Sequence, residues 1–213
     1  MLKSFSKKNK YKIILILILL YAFSAQSIYS QIKEYNFEKL TVKDGLSHSN
    51  VYTIIQDHLG YLWFGTQDGL NKYDGYKFTI YRHEPNDTNS LTTGNFGKIF
   101  QDSSKRLWFG TYGGGIDLYD PVTDKLKNYS NILNDPTSIS NNQITFIFQD
   151  SYGEIWIGTA SGGLNKFNQE TKTFERYQYN PNNPTGLSNK RAKCICETSD
   201  GTLWIGTGNG LDK

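Results

Sequence analysis

Short apolar runs of five or six residues, cut by Gly, Asp, Asn and Pro, recur along the chain, and no 3.6-residue period links them. That pattern predicts strands joined by tight turns. Four apolar segments, Val51 to Gln56, Phe96 to Gln101, Ile144 to Gln149 and Ala192 to Glu197, each open a similar unit. A turn follows each, clearest in Asp57-His58-Leu59-Gly60 and Asp150-Ser151-Tyr152-Gly153, where Asp can bond its own backbone and Gly can take a positive φ. The second copy has Lys105 at the Gly position and the fourth has Thr198 at the Asp position, so those turns are the weaker ones.

A tryptophan strand comes next. The four copies read Leu62-Trp63-Phe64-Gly65-Thr66, Leu107-Trp108-Phe109-Gly110-Thr111, Ile155-Trp156-Ile157-Gly158-Thr159 and Leu203-Trp204-Ile205-Gly206-Thr207. They hold all four tryptophans, at intervals of 45, 48 and 48 residues. The glycines Gly65, Gly110, Gly158 and Gly206 leave room for a neighbouring backbone or ring. A third strand (Leu70 to Asp74, Ile116 to Asp120, Leu164 to Asn168) and a fourth (Lys77 to Tyr81, Leu126 to Tyr129, Phe174 to Tyr177) complete the unit. Four-stranded units with this period are those of propeller blades, each burying an apolar face on its neighbour. The expected fold is an all-β, partial β-propeller of about three and a half blades, near 48–82, 93–130, 141–178 and 190–213, the last incomplete. Eight positions before each tryptophan stand Ile55, Phe100, Phe148 and Cys196, which predicts Cys196 as a core residue.

The edges suggest a longer natural product. Phe37-Glu38-Lys39-Leu40-Thr41 is patterned like the fourth strand Phe174 to Tyr177, and the chain stops at Leu211-Asp212-Lys213, where a third strand begins. Open sheet edges invite association, so further blades are expected as partners.

The string from Asp57 to Asp74, with the lead-ins Asp44-Gly45-Leu46-Ser47, Asn89-Ser90-Leu91-Thr92 and Thr185-Gly186-Leu187-Ser188, resembles the two-component regulator propeller repeat. The resemblance covers roughly 37–213. It implies the periplasmic, membrane-associated sensor of a hybrid histidine kinase, commonly a dimer, with signalling domains downstream. It also implies a response to glycan fragments, which makes an oligosaccharide or another extracellular compound the expected ligand. Two rival readings are a fragment of a propeller-fold polysaccharide-degrading enzyme and a structural interaction module, the latter in a sensor with another output such as a cyclase.

Composition supports the strand reading, with 15% aromatic residues, 20 glycines and a single methionine. The formal charge of +3 is local: Lys3, Lys7, Lys8, Lys10 and Lys12 crowd the start, leaving 18 basic against 20 acidic residues, near −2. There is no basic stripe for nucleic acid. The lysines precede the apolar run Ile13 to Phe23 and a candidate cleavage triplet, Ala25-Gln26-Ser27, so residues 1–30 read as a secretory signal peptide. The run is about half the ~20 residues a membrane-spanning helix needs, and an uncleaved anchor is the alternative. Residues 31–213 are the expected sensor domain.

Candidate chemistry is sparse. Cys194 and Cys196 share a strand face, poorly placed to bond each other, and no histidine cluster joins them as metal ligands. His83-Glu84-Pro85 lies in a connector, not on the helix a phospho-accepting histidine needs, and His48 and His58 have no helical context either. Tyr112-Gly113-Gly114-Gly115 falls between strands and reads as a hairpin turn, not a phosphate cradle. Asp117 and Asp120 recur at repeat positions, as strand-end and turn residues do. No catalytic residue, metal site or cofactor is assigned. The named positions are structural: Trp63, Trp108, Trp156 and Trp204 with their glycines. Tyr61, Tyr112 and Tyr152 lie in or beside turns, where an exposed ring could stack on a sugar.

Overall fold

The computed structural model describes residues 11–12, 14–18, 21, 35–87 and 89–213. It forms two compact units, Met1–Lys39 and Leu40–Lys213. In the first, the described residues between 11 and 21 are helical and exposed. No described helix is long and apolar enough to cross a membrane. The cleavage triplet at 25–27 and four of the five leading lysines lie outside the described residues.

Residues 37–41 are not a strand, contrary to the sequence pattern. A strand persists through its ladder, and these residues have no ladder partner among the described residues. Local bonds decide the conformation around Thr41 instead. Its hydroxyl accepts from Lys43 N–H at 3.2 Å, and the Asp44 carboxylate accepts from Thr41 N–H at 2.7 Å. This capping box closes a 3₁₀ turn over Val42–Asp44, which ends in the left-handed Gly45 at φ 107°.

The second unit is a set of antiparallel meanders. β1 (Val51–Gln56), β2 (Leu62–Thr66), β3 (Gly69–Tyr73) and β4 (Phe78–Tyr81) form the first sheet, in sequence order. β5 (Phe96–Gln101), β6 (Leu107–Thr111), β7 (Ile116–Asp120) and β8 (Lys125–Tyr129) form the second. The third holds β9 (Ile144–Gln149), β10 (Ile155–Thr159), β11 (Leu164–Asn168) and β12 (Thr173–Tyr177). The fourth has three strands, β13 (Ala192–Glu197), β14 (Leu203–Thr207) and β15 (Gly210–Asp212). The first strands of successive sheets lie beside one another, β1 by β5, β5 by β9 and β9 by β13, so they share one inner edge. This is the blade arrangement of a β-propeller.

Alternation along each tryptophan strand gives the sheets two unlike faces. One carries the tryptophan; the other carries Leu107 and Phe109, Ile155 and Ile157, or Leu203 and Ile205. The tryptophan face of each sheet packs on the second kind of face of the next. Trp63 thus meets Leu107, Phe109 and Tyr119; Trp108 meets Ile155, Ile157 and Phe167; and Trp156 packs with Leu203 and Ile205. Trp63 and Trp108 are fully buried, each contributing roughly 3 kcal/mol from apolar burial.

The turn with Lys105 in place of glycine forms nonetheless, with Lys105 at φ 69° and its N–H donating to Asp102 O at 2.9 Å. The prediction of Cys196 as core is overturned: it and Cys194 are free and exposed. Ile55, Phe100 and Phe148 each pack against the neighbouring sheet. The corresponding face of the fourth sheet has no described sheet upon it.

Candidate functional site

The turn aspartates do more than close a turn. Asp57 Oδ1 accepts from Leu59 and Tyr61 N–H, while Oδ2 accepts from Trp63 Nε1–H at 2.8 Å. Asp102 holds Trp108 at 2.8 Å and Asp150 holds Trp156 at 2.7 Å in the same way. The sequence pattern placed these carboxylates in turns but did not reveal the bond to the indole six residues on. In the fourth copy Asp200 Oδ1 takes over the turn bond, accepting from Thr202 N–H at 3.1 Å, and Thr198 supplies no carboxylate for Trp204.

The glycines of the tryptophan strands sit where a side chain would collide. A Cβ on Gly65 would lie 2.6 Å from Thr53 Cγ2, and one on Gly110 2.7 Å from Ile144 of the next sheet. On Gly158 it would meet the Phe146 ring, and on Gly206 Cys194 Sγ. At Gly65 and Gly110 the inner strand of the next sheet, at Phe96 and Ile144, comes this close; at Gly158 and Gly206 the neighbour is the inner strand of the same sheet.

Every inner strand carries a β-bulge at the same place. Pairing skips Tyr52 in β1, Gly97 in β5, Thr145 in β9 and Lys193 in β13. A bulge leaves a residue outside the ladder and re-aims its side chain. Beside it the backbone also repeats: Tyr112, Ala160 and Gly208 N–H donate to Asn95, Gln143 and Arg191 C=O at 3.1, 2.9 and 3.0 Å. Of the side chains at these repeating positions only asparagine recurs, in the first two copies. Two residues before the bulge stand Asn50, Asn95, Gln143 and Arg191; one after it stand Thr53, Lys98, Phe146 and Cys194. The glycines and threonines of the framework are identical in all four copies. The fold therefore does not dictate the chemistry of the inner edge.

A cavity of about 220 Å³ opens there, lined by Lys98, Tyr112, Gln143, Thr145, Arg191 and Lys193 among others. The Tyr112 ring lies over Gly97, where a Cβ would come within 2.6 Å of it, and meets Tyr52 edge-on at 6.2 Å. On the same edge, Asn95 Oδ1 is buried with no hydrogen-bond partner.

The remaining candidates fall elsewhere. Tyr61 lies under Lys72 Nζ, 4.0 Å from its ring centre, and Tyr152 is exposed at an outer turn. His48 Nδ1 accepts from Asn50 N–H at 3.0 Å, His58 Nδ1 lies 3.1 Å from Gln101 Nε2, and His83 Nδ1 lies 2.6 Å from Leu91 O. Gly113 and Gly115 have φ of 125° and 89° in the β6–β7 turn. Asp120 accepts from Val122 N–H at 2.9 Å, a turn bond. Among the described residues no cluster of His, Cys, Asp and Glu could hold a metal ion. A larger cavity, about 740 Å³, lies beside Trp156, Tyr177, Leu203 and Ile205. Between the second and third sheets the corresponding space beside Trp108 and Tyr129 is filled by Phe167 and Phe174, at ring distances of 5.0 to 5.6 Å. It is a packing groove between sheets.

The two component regulator propeller family matches residues 45–68, 90–113, 138–161 and 186–209, which are the lead-in loop, inner strand and tryptophan strand of each sheet. The four repeats are two-component regulator propeller repeats. The chain is 47% identical over 75 residues to histidine kinase P4 of Formosa agariphila, a stretch covering 35% of this chain and 6% of that protein. It superposes on the extracellular domain assigned to a hybrid two component system of B. thetaiotaomicron with a TM-score of 0.73 and 28% identity, over 82% of this chain and 24% of that one. Virginiamycin B lyase from Staphylococcus aureus shares the fold at a TM-score of 0.52 and 16% identity, over 78% of this chain and 53% of the lyase. The regulator propeller repeats here thus span a small part of the kinase and about a quarter of that extracellular domain.

Proposed function

We propose that this chain is part of the extracytoplasmic sensor of a two-component phosphorelay protein and that its inner edge binds a carbohydrate. The observation that carries the reading is the contrast within each regulator propeller repeat: identical framework residues, but unlike side chains at four equivalent bulges. A symmetric scaffold needs no such variety, whereas an asymmetric ligand does. The likeness to a hybrid two component extracellular domain and to a histidine kinase supports placing the output in domains beyond these sheets. In the full-length protein, ligand binding would shift an equilibrium between two arrangements of a dimer across the membrane, with further blades and the kinase as partners.

The enzymatic alternative has less support. The lyase shares a fold, and folds host unrelated functions. The inner-edge cavity is lined by Lys98, Arg191, Lys193, Gln143 and Tyr112 among others, without the paired carboxylates a glycosidase uses.

Thermal unfolding of the chain in the presence of a panel of oligosaccharides tests the proposal. At least one should raise Tm, by about 2 °C or more at saturating concentration, and should be recovered unchanged. Substituting Tyr112→Ala should abolish the shift. A panel with no stabilising sugar would refute carbohydrate binding at the inner edge, and a sugar that comes back cleaved would favour the enzymatic alternative.

A further inference from the structure

Lys98, Arg191 and Lys193 come from two inner strands and the residue just before β13, yet all three line the same small cavity. The ion pairs among the described residues are Arg82–Asp68, Arg106–Asp102 and Lys166–Glu154; none involves these three cations. Nor do their side chains hydrogen-bond among the described residues, where Arg191 takes part only through its backbone. The gathering is local, because the chain after its first twelve residues is near −2 overall.

The fold does not require these charges. Where β5 has Lys98, the other inner strands have Thr53, Phe146 and Cys194; where β13 has its bulged Lys193, the others have Tyr52, Gly97 and Thr145. Like charges drawn together without a counter-charge repel, and a bound anion relieves that repulsion while the cations donate charge-assisted hydrogen bonds. The cavity, about 220 Å³, is below the ~300–1,000 Å³ usual for a whole small-molecule ligand, so it suits one charged unit of a longer molecule. Tyr112, propped over Gly97, offers a ring face, and Gln143 an amide that can bond hydroxyls.

We infer that the inner-edge cavity binds an anionic saccharide, its carboxylate or sulfate held by Lys98, Arg191 and Lys193. This rests on the carbohydrate-sensing reading above and adds to it the charge of the ligand.

Isothermal titration calorimetry on the full 213-residue chain decides it, with digalacturonic acid, galactose 6-sulfate, neutral galactobiose and sodium sulfate as probes. One acidic sugar should bind at least about tenfold more tightly than galactobiose, and more weakly as sodium chloride rises from about 50 to about 300 mM. Whichever acidic sugar binds identifies carboxylate or sulfate as the recognised group. The double variant K98Q/K193Q should lose about tenfold in affinity with an unchanged circular dichroism spectrum, and K98R/K193R should keep most of it. Galactobiose binding as well as either acid, a silent K98Q/K193Q, or sodium sulfate binding as tightly as the sulfated sugar would each overturn the inference. Neutral-sugar binding unaffected by the cation variants would do so while leaving the sensor reading intact; failure of every sugar would remove both.

Discussion

Asp117 stands where the first and third sheets have Asn71 and Asn165, and the fourth Asp212. In each sheet this side chain anchors the lead-in loop. Asn71 Oδ1 accepts from Ser47 N–H at 2.8 Å and its Nδ2 donates to Ser47 Oγ at 2.7 Å; Asn165 and Ser140 repeat the pair at 2.9 Å each. Asp117 is fully buried and accepts from Thr92 N–H at 3.1 Å, Thr92 Oγ1–H at 3.2 Å and Asn128 Nδ2–H at 2.6 Å. Burial outweighs those bonds and pushes its carboxyl up to about 6 from 3.8. A carboxyl whose folded pKa is raised binds a proton more readily in the native state. Its contribution to stability is complete below about pH 4 and is lost as pH rises through 6. Asp117→Asn should remove that slope, because an amide can accept from Thr92 N–H and donate to Thr92 Oγ as Asn71 does with Ser47. The natural chain should lose up to about 3 kcal/mol between pH 4 and 7 relative to the variant, read from urea unfolding across that range. Equal slopes in the two proteins would refute the assignment.

At the scale of the element, the turn and tryptophan strand act as one unit through a single carboxylate. Asp102 accepts from Arg106 N–H, Arg106 Nε–H and Trp108 Nε1–H at 3.0, 2.7 and 2.8 Å, and its side chain is fully buried. Asp102→Ala strands a buried indole N–H and a turn amide, a loss of about 3 kcal/mol visible as a lower urea midpoint at constant m. Thr198→Ala, in the copy without the indole bond, should cost only about 0.5 kcal/mol. Similar losses from both substitutions would show that the indole bond is not the source. The tryptophan strands were legible because Trp, Gly and Thr recur in register. The indole bond was not, since a turn aspartate and a tryptophan six residues later meet only once the hairpin has formed. Phe37 to Thr41 misled for the converse reason: its composition suits a strand, but with no ladder partner among the described residues the Thr41–Asp44 capping box decides the local path.

At the scale of the molecule, the outermost faces differ from the buried ones. Ile54 on the first sheet is 60% exposed and Leu211 on the fourth 63%, while Trp204 is only partly covered. The exposed first-sheet face, bearing Ile54, Leu62 and Phe64, is the kind that receives a tryptophan face at each internal junction. The chain in isolation should therefore associate in a head-to-tail, concentration-dependent way. Light scattering after size exclusion should show species larger than a monomer, and Ile54→Lys should reduce them. A stable monomer at high micromolar concentration would contradict the prediction.

Period, turn chemistry and the Trp-x-Gly-Thr register already determined the strands, their grouping in fours and the blade architecture, because each depends on local spacing and alternation. Only the tertiary structure decided which residues share the inner edge. Lys98 and Arg191 are far apart in the chain, and bulges select the side chains beside them by skipping one rung of a ladder, which no linear pattern records. The same distinction explains Cys196: its apolar column is a property of the sequence, but burial depends on a sheet packed against it, and that is a fact of three-dimensional arrangement.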